Sequence, residues 1–151
     1  MDETLPPAAS DEVVARVRAS FDRQGLMRLL GAELVHIAPG LVKINLTRRT
    51  ELTQQHGYVH AGATSAIADS AGGYAALTLM PPTSEVLTVE YKLNLLAPAR
   101  GDHLEAQGVV LRPGRTLTVC RLEVYAVEGD RRTLVAAGQQ TLICVPDQPP
   151  A

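Results

Sequence analysis

One carboxylate, Asp69, lies in the middle of an almost wholly apolar stretch, residues 62–80. The stretch consists mostly of Ala, Gly, Ile, Leu, Met and Tyr, with a few small hydroxyl side chains. A helix of this composition has little polar surface, so we expect it to be buried. An ionised carboxylate in apolar surroundings is costly unless it is paired or takes part in chemistry. Asp69 is therefore the first candidate for a general base or a nucleophile.

A polar loop comes directly before this predicted helix and ends at Ala61 and Gly62. The first N–H groups of a helix have no intrahelical partner, and such groups stabilise an anionic oxygen. We therefore take the helix start as a candidate oxyanion site. A carboxylate base combined with an oxyanion donor is typical of acyl transfer.

Each of these features also has a purely structural interpretation. Asp69 could be held by Ser65 or Ser70 at an interface between two copies of the chain. The side of the helix that carries Asp69 is lined by small residues, which would suit either a thin ligand or close packing. These residues are Gly62, Ser65, Ala66, Gly72, Gly73 and Ala76.

His56 and His60 are four residues apart and could suggest a metal site. They lie in a predicted loop, and the sequence has no third ligand at metalloenzyme spacing, so we expect no metal. His60 is expected to order the loop through a hydrogen bond, to Gln54 or to a backbone carbonyl, although a purely structural role is as plausible.

Length and composition predict one small domain. The chain has 151 residues and a formal net charge of −2, which disfavours nucleic acid and anionic membranes as partners. The N-terminus has no apolar signal segment, so we expect a cytoplasmic protein. Both cysteines lie in apolar runs, so we expect them to be buried free thiols. We predict a single domain over residues 10–145, with disordered tails at 1–9 and 146–151.

Hydrophobic periodicity predicts the elements around the site. Ser10 caps a helix that is predicted to continue to Leu30, and a hairpin with a turn at Pro39-Gly40 follows. The buried helix covers residues 62–79. Four further strands are predicted at about residues 87–95, 103–111, 116–127 and 133–145.

The first of these four strands alternates most regularly, so Thr88, Lys92 and Asn94 are predicted to share a polar face opposite an apolar one. The element order has no repeating βα unit, which predicts an antiparallel sheet wrapped on one helix. Such a sheet leaves edges uncovered and favours a homodimer.

The β-β-α-β-β-β-β order, with His60-Ala61-Gly62 entering the helix and Asp69 nine residues after His60, resembles the hotdog-fold acyl-CoA thioesterases of the PaaI-like superfamily. The run from His56 to Gly62 and the triplet Ala68-Asp69-Ser70 are most similar to the bacterial medium- and long-chain acyl-CoA thioesterase branch (YigI-like). The resemblance implies an α+β hotdog fold, with a six-stranded antiparallel sheet around a long central helix. It also implies hydrolysis of medium- or long-chain acyl-CoA without a cofactor.

The resemblance gives Asp69 the role of nucleophile or general base and gives Gln54 the role of holding water or the thioester. The backbone N–H of Ala61 would polarise the thioester carbonyl. The family usually has Gly at this position, a difference that matters if the turn needs a positive φ. A homodimer or dimer of dimers is implied, with the Asp69 helix of one protomer facing the 54–62 loop of the other.

Further residues are candidates for binding the substrate. The arginines at strand ends and turns could meet the phosphates of coenzyme A, and polar or small positions could border the acyl-pantetheine channel. Solvent exposure is the alternative interpretation for both groups. The candidates are Gly73, Thr88, Asn94, Arg112 and Arg115.

Two other functions stay open at the level of sequence. One is a hotdog dehydratase or hydratase acting on hydroxyacyl or enoyl thioesters, although motifs such as His-Phe-Pro are missing from the sequence. The other is a non-catalytic acyl-CoA-binding protein. The shortage of aromatic residues mildly favours an aliphatic acyl group over an aryl one.

Overall fold

The computed structural model describes residues 6–147, which form three helices and six strands. The helices are α1 (Asp11–Asp22), α2 (Gly25–Leu30) and α3 (Ala61–Leu77), with a short 3-10 turn at Thr50–Leu52. The strands are β1 (Ala32–Ala38), β2 (Leu41–Thr47), β3 (Ser84–Leu95), β4 (His103–Arg112), β5 (Leu117–Glu128) and β6 (Arg131–Pro146). They form one antiparallel sheet in the order β1-β2-β4-β5-β6-β3.

The long helix α3 packs against one face of this sheet, as its apolar composition predicts. Ile67, Ala71 and Ala75 are fully buried in the core, and burial of a side chain the size of Ile67 contributes about 1.5–3 kcal/mol. Helix and sheet approach so closely that a Cβ added at Gly108 of β4 would lie 2.4 Å from backbone atoms of Ala71 and Gly72. The small residues of α3 therefore serve close packing along part of the helix.

The hairpin of β1 and β2 confirms the predicted turn at Pro39-Gly40. Gly40 has a φ of 72°, which a glycine adopts without strain. Its N–H donates to the hydroxyl of Thr78 at 2.8 Å, which ties the turn to the end of α3.

The N-terminal helical segment differs from its prediction. Ser10 caps α1 as expected, since its hydroxyl accepts from the N–H of Val13 at 3.4 Å. The expectation of one continuous helix to Leu30 is wrong, because Gln24 adopts an extended ψ of 105° and a second helix begins after it. The side chain of Gln24 donates to the hydroxyl of Tyr74 on α3 at 2.8 Å, so a long-range contact fixes the residue where the helix breaks.

Strand β3 lies at one edge of the sheet and carries a bulge. Its pairing with β6 changes register between Thr88 and Glu90, which turns Thr88 towards α3, on the same face as Gln140. Lys92 and Asn94 lie on the opposite face. The prediction that Thr88 shares a face with these two residues is wrong, because the extra residue of the bulge interrupts the alternation.

Both ends of the described range are hydrogen-bonded to other parts of the chain. The N–H of Ala9 donates to the carbonyl of Ile37 at 3.0 Å, and that of Asp147 to the carbonyl of Thr83 at 3.1 Å. Of the two predicted tails, residues 1–5 and 148–151 lie outside the described residues. Pro146, predicted to begin the second tail, is the last residue of β6. Both cysteines are free, one buried and one half-buried. Within residues 6–147 no helix is long and apolar enough to cross a membrane.

Candidate active site

Asp69 lies near the middle of α3, half-buried, with its carboxylate turned towards β3 and β6. Its Oδ1 accepts from the hydroxyl of Thr88 at 2.7 Å and from Nε2 of Gln140 at 2.6 Å. The same Nε2 lies 3.1 Å from the main-chain oxygen of Asp69 and 3.1 Å from the Thr88 hydroxyl. Both donors act on one carboxylate oxygen, and no group within residues 6–147 hydrogen-bonds Oδ2.

The serines that could have satisfied Asp69 have other partners. The hydroxyl of Ser65 donates to the carbonyl of Gly62 at 3.3 Å, and that of Ser70 to Oε1 of Gln24 at 3.2 Å. The carboxylate is therefore held from the sheet and not from its own helix.

A cavity of about 300 Å³ opens beside Asp69, between α1, α3 and β3. Its far side carries a connected polar group, in which the hydroxyl of Tyr74 bonds Nε2 of Gln24 at 2.8 Å and the hydroxyl of Ser20 at 3.1 Å. Burial raises the pKa of Tyr74, while these two hydrogen bonds oppose the increase. Gly73, a predicted substrate-binding residue, also lines this cavity.

The start of α3 is capped by His60. Its Nδ1 accepts from the N–H of Gly62 at 2.7 Å, so the imidazole ring caps the helix. The expected hydrogen bond from His60 to Gln54 or to a backbone carbonyl is not formed among the described residues. The Gly62 N–H is therefore occupied and does not serve as an oxyanion donor. The N–H of Ala61 has no acceptor within the described part of the chain.

Alanine at position 61 fits this helix start without strain. None of the non-glycine residues in the range 6–147 has a positive φ, so Ala61 begins the helix in an ordinary conformation. The difference from the usual family glycine leaves the backbone donor in place.

Gln54 lies beside Ala61, and both line a second cavity of about 410 Å³. The Oε1 of Gln54 accepts from the N–H of His56, which fixes the side chain and leaves its amide nitrogen without an acceptor among the described residues. The structure thus brings together Gln54 and Ala61, two of the predicted catalytic groups.

Asp69 is separated from these two groups within one chain. It follows Ala61 by eight residues in the same helix, which corresponds to about 12 Å along the axis. A thioester whose carbonyl oxygen is bound at Ala61 cannot place its carbonyl carbon against Asp69 of the same chain. The predicted catalytic groups of one chain therefore lie in two separate places, called here the two candidate half-sites: Asp69 in one, Gln54 and Ala61 in the other.

The remaining candidates lie elsewhere. Asn94 borders a separate cavity of about 600 Å³ on the face of the sheet away from α3. Arg112 and Arg115 are exposed at the turn between β4 and β5. In the part of the chain that the structure describes, no group of histidine, cysteine or acidic side chains is arranged to hold a metal ion.

Two arginines lie beside the 54–60 loop. Arg100 is one of the turn arginines that could meet the phosphates of coenzyme A, and Arg48 was not a candidate. The guanidinium of Arg100 lies over the ring of Tyr58, 4.5 Å from its centroid, and Arg48 donates to the carbonyl of Gly57 at 2.9 Å. Both arginines line a cavity that also contains the carboxylates of Asp102 and Glu128.

Gln140 is the site residue that the sequence analysis missed. Its side chain is only 1% exposed, at a position of β6 that faces α3. A signal was present, because Gln140 lies two residues before the fully buried Leu142, on the strand face where an apolar side chain is expected.

Comparison with known proteins identifies the family. The model of the thioesterase superfamily matches residues 56–133. The chain belongs to this superfamily. A solved thioesterase family protein from Silicibacter pomeroyi is 41% identical, with 89% of this chain and 99% of that chain covered and a TM-score of 0.87.

Two further matches differ more in sequence. The 1,4-dihydroxy-2-naphthoyl-CoA hydrolase of Listeria monocytogenes is 24% identical, covering 66% of this chain and 81% of that protein. The E. coli PaaI protein shares the fold, with a TM-score of 0.82 at 18% identity over 93% of this chain and 99% of that one. These findings confirm the α+β hotdog fold and the thioesterase superfamily.

Proposed function

We propose that this thioesterase hydrolyses acyl-CoA to a free carboxylic acid and coenzyme A. The observation that carries the proposal is the Asp69 carboxylate, with Oδ1 held by Thr88 and Gln140 and Oδ2 free of protein donors among the described residues. Membership of the superfamily supports thioester hydrolysis. Coenzyme A as the acyl carrier is supported by the name of the Listeria monocytogenes relative.

The chemistry follows from the two half-sites. Oδ2 of Asp69 either removes a proton from a water molecule that attacks the thioester carbonyl carbon, or attacks that carbon itself. The N–H of Ala61 binds the oxygen that becomes anionic, a contact typically worth about 10²- to 10³-fold in rate. Collapse of the intermediate breaks the C–S bond, and coenzyme A leaves as a thiolate. In the general-base route, the thiolate takes up the proton that Asp69 removed from water. In the nucleophilic route, water then hydrolyses the acyl-aspartyl anhydride and supplies that proton.

A second copy of the chain would bring the half-sites together. Among the described residues β3 pairs on one side only, with β6. Its apolar side chains Leu87, Val89 and Tyr91 are 46–58% exposed. An apolar strand edge of this kind suits pairing with another copy, so we infer a homodimer, or a dimer of dimers, in which Asp69 of one protomer faces Gln54 and Ala61 of its partner.

The linings of the two cavities indicate which acyl groups the protein could bind. The cavity that holds Gln54 and Ala61 has an apolar wall formed by Leu95, Leu96 and Val135, which suits a medium or long aliphatic chain. The polar lining of the Asp69 cavity would instead favour an acyl group that carries a hydroxyl.

Thiol release from a panel of acyl-CoAs, followed with a disulfide dye, tests the proposal. The panel contains short, medium, long and hydroxyaryl acyl groups, and the proteins are the wild type, Asp69→Asn and Asp130→Asn. Asp130 lies in the exposed β5–β6 turn, so its variant controls for loss of a carboxylate away from the site. We expect Asp69→Asn to lose about 10²- to 10⁴-fold in kcat and Asp130→Asn to match the wild type.

Other results would identify the alternatives. Saturable binding of acyl-CoA without thiol release, by folded wild-type protein, would indicate an acyl-CoA-binding protein. Addition of water to an enoyl thioester without thiol release would indicate a hydratase.

A further inference from the structure

The amide of Gln140 has a fixed orientation. Its Nε2 faces two acceptors, Oδ1 of Asp69 at 2.6 Å and the main-chain oxygen of Asp69 at 3.1 Å. A flipped amide would place Oε1 against both oxygens, so only the observed orientation avoids repulsion. Oε1 then points the other way, where it is buried without a hydrogen-bond partner among the described residues. The contact with Asp69 is therefore kept at the expense of an unpaired carbonyl.

Gly72 provides the space that Oε1 occupies. A Cβ added at Gly72 would lie 1.9 Å from Oε1 of Gln140 and 2.6 Å from Cδ2 of Leu122. At the adjacent Gly73 an added Cβ would meet only Cδ2 of Leu142, at an ordinary 3.7 Å. Gly72 lies three residues after Asp69 and hence on the same side of α3. The amide of Gln140 is thus enclosed between Gly72 and the carboxylate.

We propose that Gln140, seated against Gly72, is a positioning residue that keeps Oδ1 of Asp69 engaged and presents Oδ2 to water or to the thioester. The role rests on the proposed function. Gln140 is not itself in contact with the reacting atoms. It acts through the carboxylate together with the Thr88 hydroxyl, which donates to the same oxygen.

Gln140→Met tests this role, with Gln107→Met as the matched control. Methionine keeps the length of glutamine and removes the donor. Gln107 is also a buried glutamine, but its neighbour Gly108 faces α3, so Gln107 lies on the other face of the sheet. With the best acyl-CoA of the panel, we expect Gln140→Met to lower kcat about 10- to 100-fold with KM within about two-fold, and Gln107→Met to retain the wild-type values.

Gly72→Ala tests the seat of the amide independently. The added methyl group displaces Gln140 from Asp69, so we expect a similar loss in kcat. Because both substitutions remove the same contact, the double variant Gly72→Ala/Gln140→Met is expected to have a kcat within about two-fold of Gln140→Met alone. All rates are taken per folded dimer, with folding checked by circular dichroism and gel filtration.

The outcomes separate this inference from the proposed function. Wild-type kcat in Gln140→Met, in an enzyme that still requires Asp69, would overturn the positioning role and leave the proposed function intact. Losses that multiply in the double variant would show that Gly72 does not act through Gln140. An absence of thioester hydrolysis by the wild type would overturn the proposed function and this role with it.

Discussion

The hydroxyl of Thr88, on the edge strand β3, donates a 2.7 Å hydrogen bond to Oδ1 of Asp69 on the central helix. The bulge after Thr88 makes this contact possible, because it turns the side chain towards α3. A strand that would belong to the subunit interface thus also supplies a group that orients the carboxylate.

Thr88→Val should remove this donor and keep the branched shape of the side chain. A hydrogen bond to a charged group contributes enough to predict a fall in kcat of roughly 10- to 100-fold, whereas Thr88→Ser should stay within about three-fold of the wild type. Steady-state hydrolysis of one acyl-CoA by the three proteins measures the effect. Equal rates for the valine and serine variants would show that the hydroxyl does not contribute.

The cap of α3 predicts an effect on stability as well as on rate. Removal of the Nδ1 acceptor in His60→Ala should lower the free energy of unfolding by about 1 kcal/mol, while His60→Asn, which carries a favourable capping side chain, should retain most of it. Because the cap also holds the first turn of α3, which positions the Ala61 N–H, its loss should lower kcat in the alanine variant also. Urea unfolding and thiol release on the same samples measure both, and identical unfolding curves for His60→Ala and the wild type would contradict the cap.

The buried thiol predicts a decline in stability at alkaline pH. Burial raises the pKa of Cys120 to about 12 from an ordinary value of 9.0. Between these pH values the folded chain keeps a proton that the unfolded chain releases, so this contribution to stability is complete below about pH 9 and is lost as the pH rises towards 12. Urea unfolding between pH 8 and 10.5 should show the decline in the wild type and a shallower one in Cys120→Ala.

The same thiol predicts how the folded protein reacts with a disulfide dye. At pH 8 only the half-buried Cys144 should react, and Cys120 should react after unfolding in urea. Rapid reaction of both thiols in the folded protein would contradict the burial of Cys120.

Sequence periodicity predicted the helices and strands in which apolar residues recur at regular intervals. The helix expected at residues 62–79 is α3, from Ala61 to Leu77, and its apolar composition indicated burial on nearly all sides. The hairpin and the last four strands were predicted for the same reason, since alternation over several residues is a strong local signal. Asp69 stood out because it interrupts an apolar segment.

Features that depend on contacts between distant segments were not predictable in this way. The bulge that turns Thr88 inward is set by the pairing of β3 with β6. The break between α1 and α2 is fixed by the contact of Gln24 with Tyr74, fifty residues further along the chain. In the sequence, Gln140 cannot be told apart from the adjacent Gln139. Only the structure shows which of the two side chains faces Asp69.

Complementation between two inactive variants tests the central claim most directly, namely that Asp69 of one protomer acts with Ala61 of its partner. Asp69→Asn removes the carboxylate. Ala61→Pro removes only the backbone donor, because proline is well tolerated at the first position of a helix and His60 already has an extended conformation. We expect each variant alone to lose about 100-fold or more in kcat.

Unfolding the two variants together at equal concentration and refolding them produces mixed dimers, each with one intact site. We predict recovery of about one quarter of the wild-type activity, while either variant refolded alone stays inactive. A mixture that remains inactive although mixed dimers have formed would contradict a site shared between protomers, and full activity of Ala61→Pro alone would contradict the backbone donor.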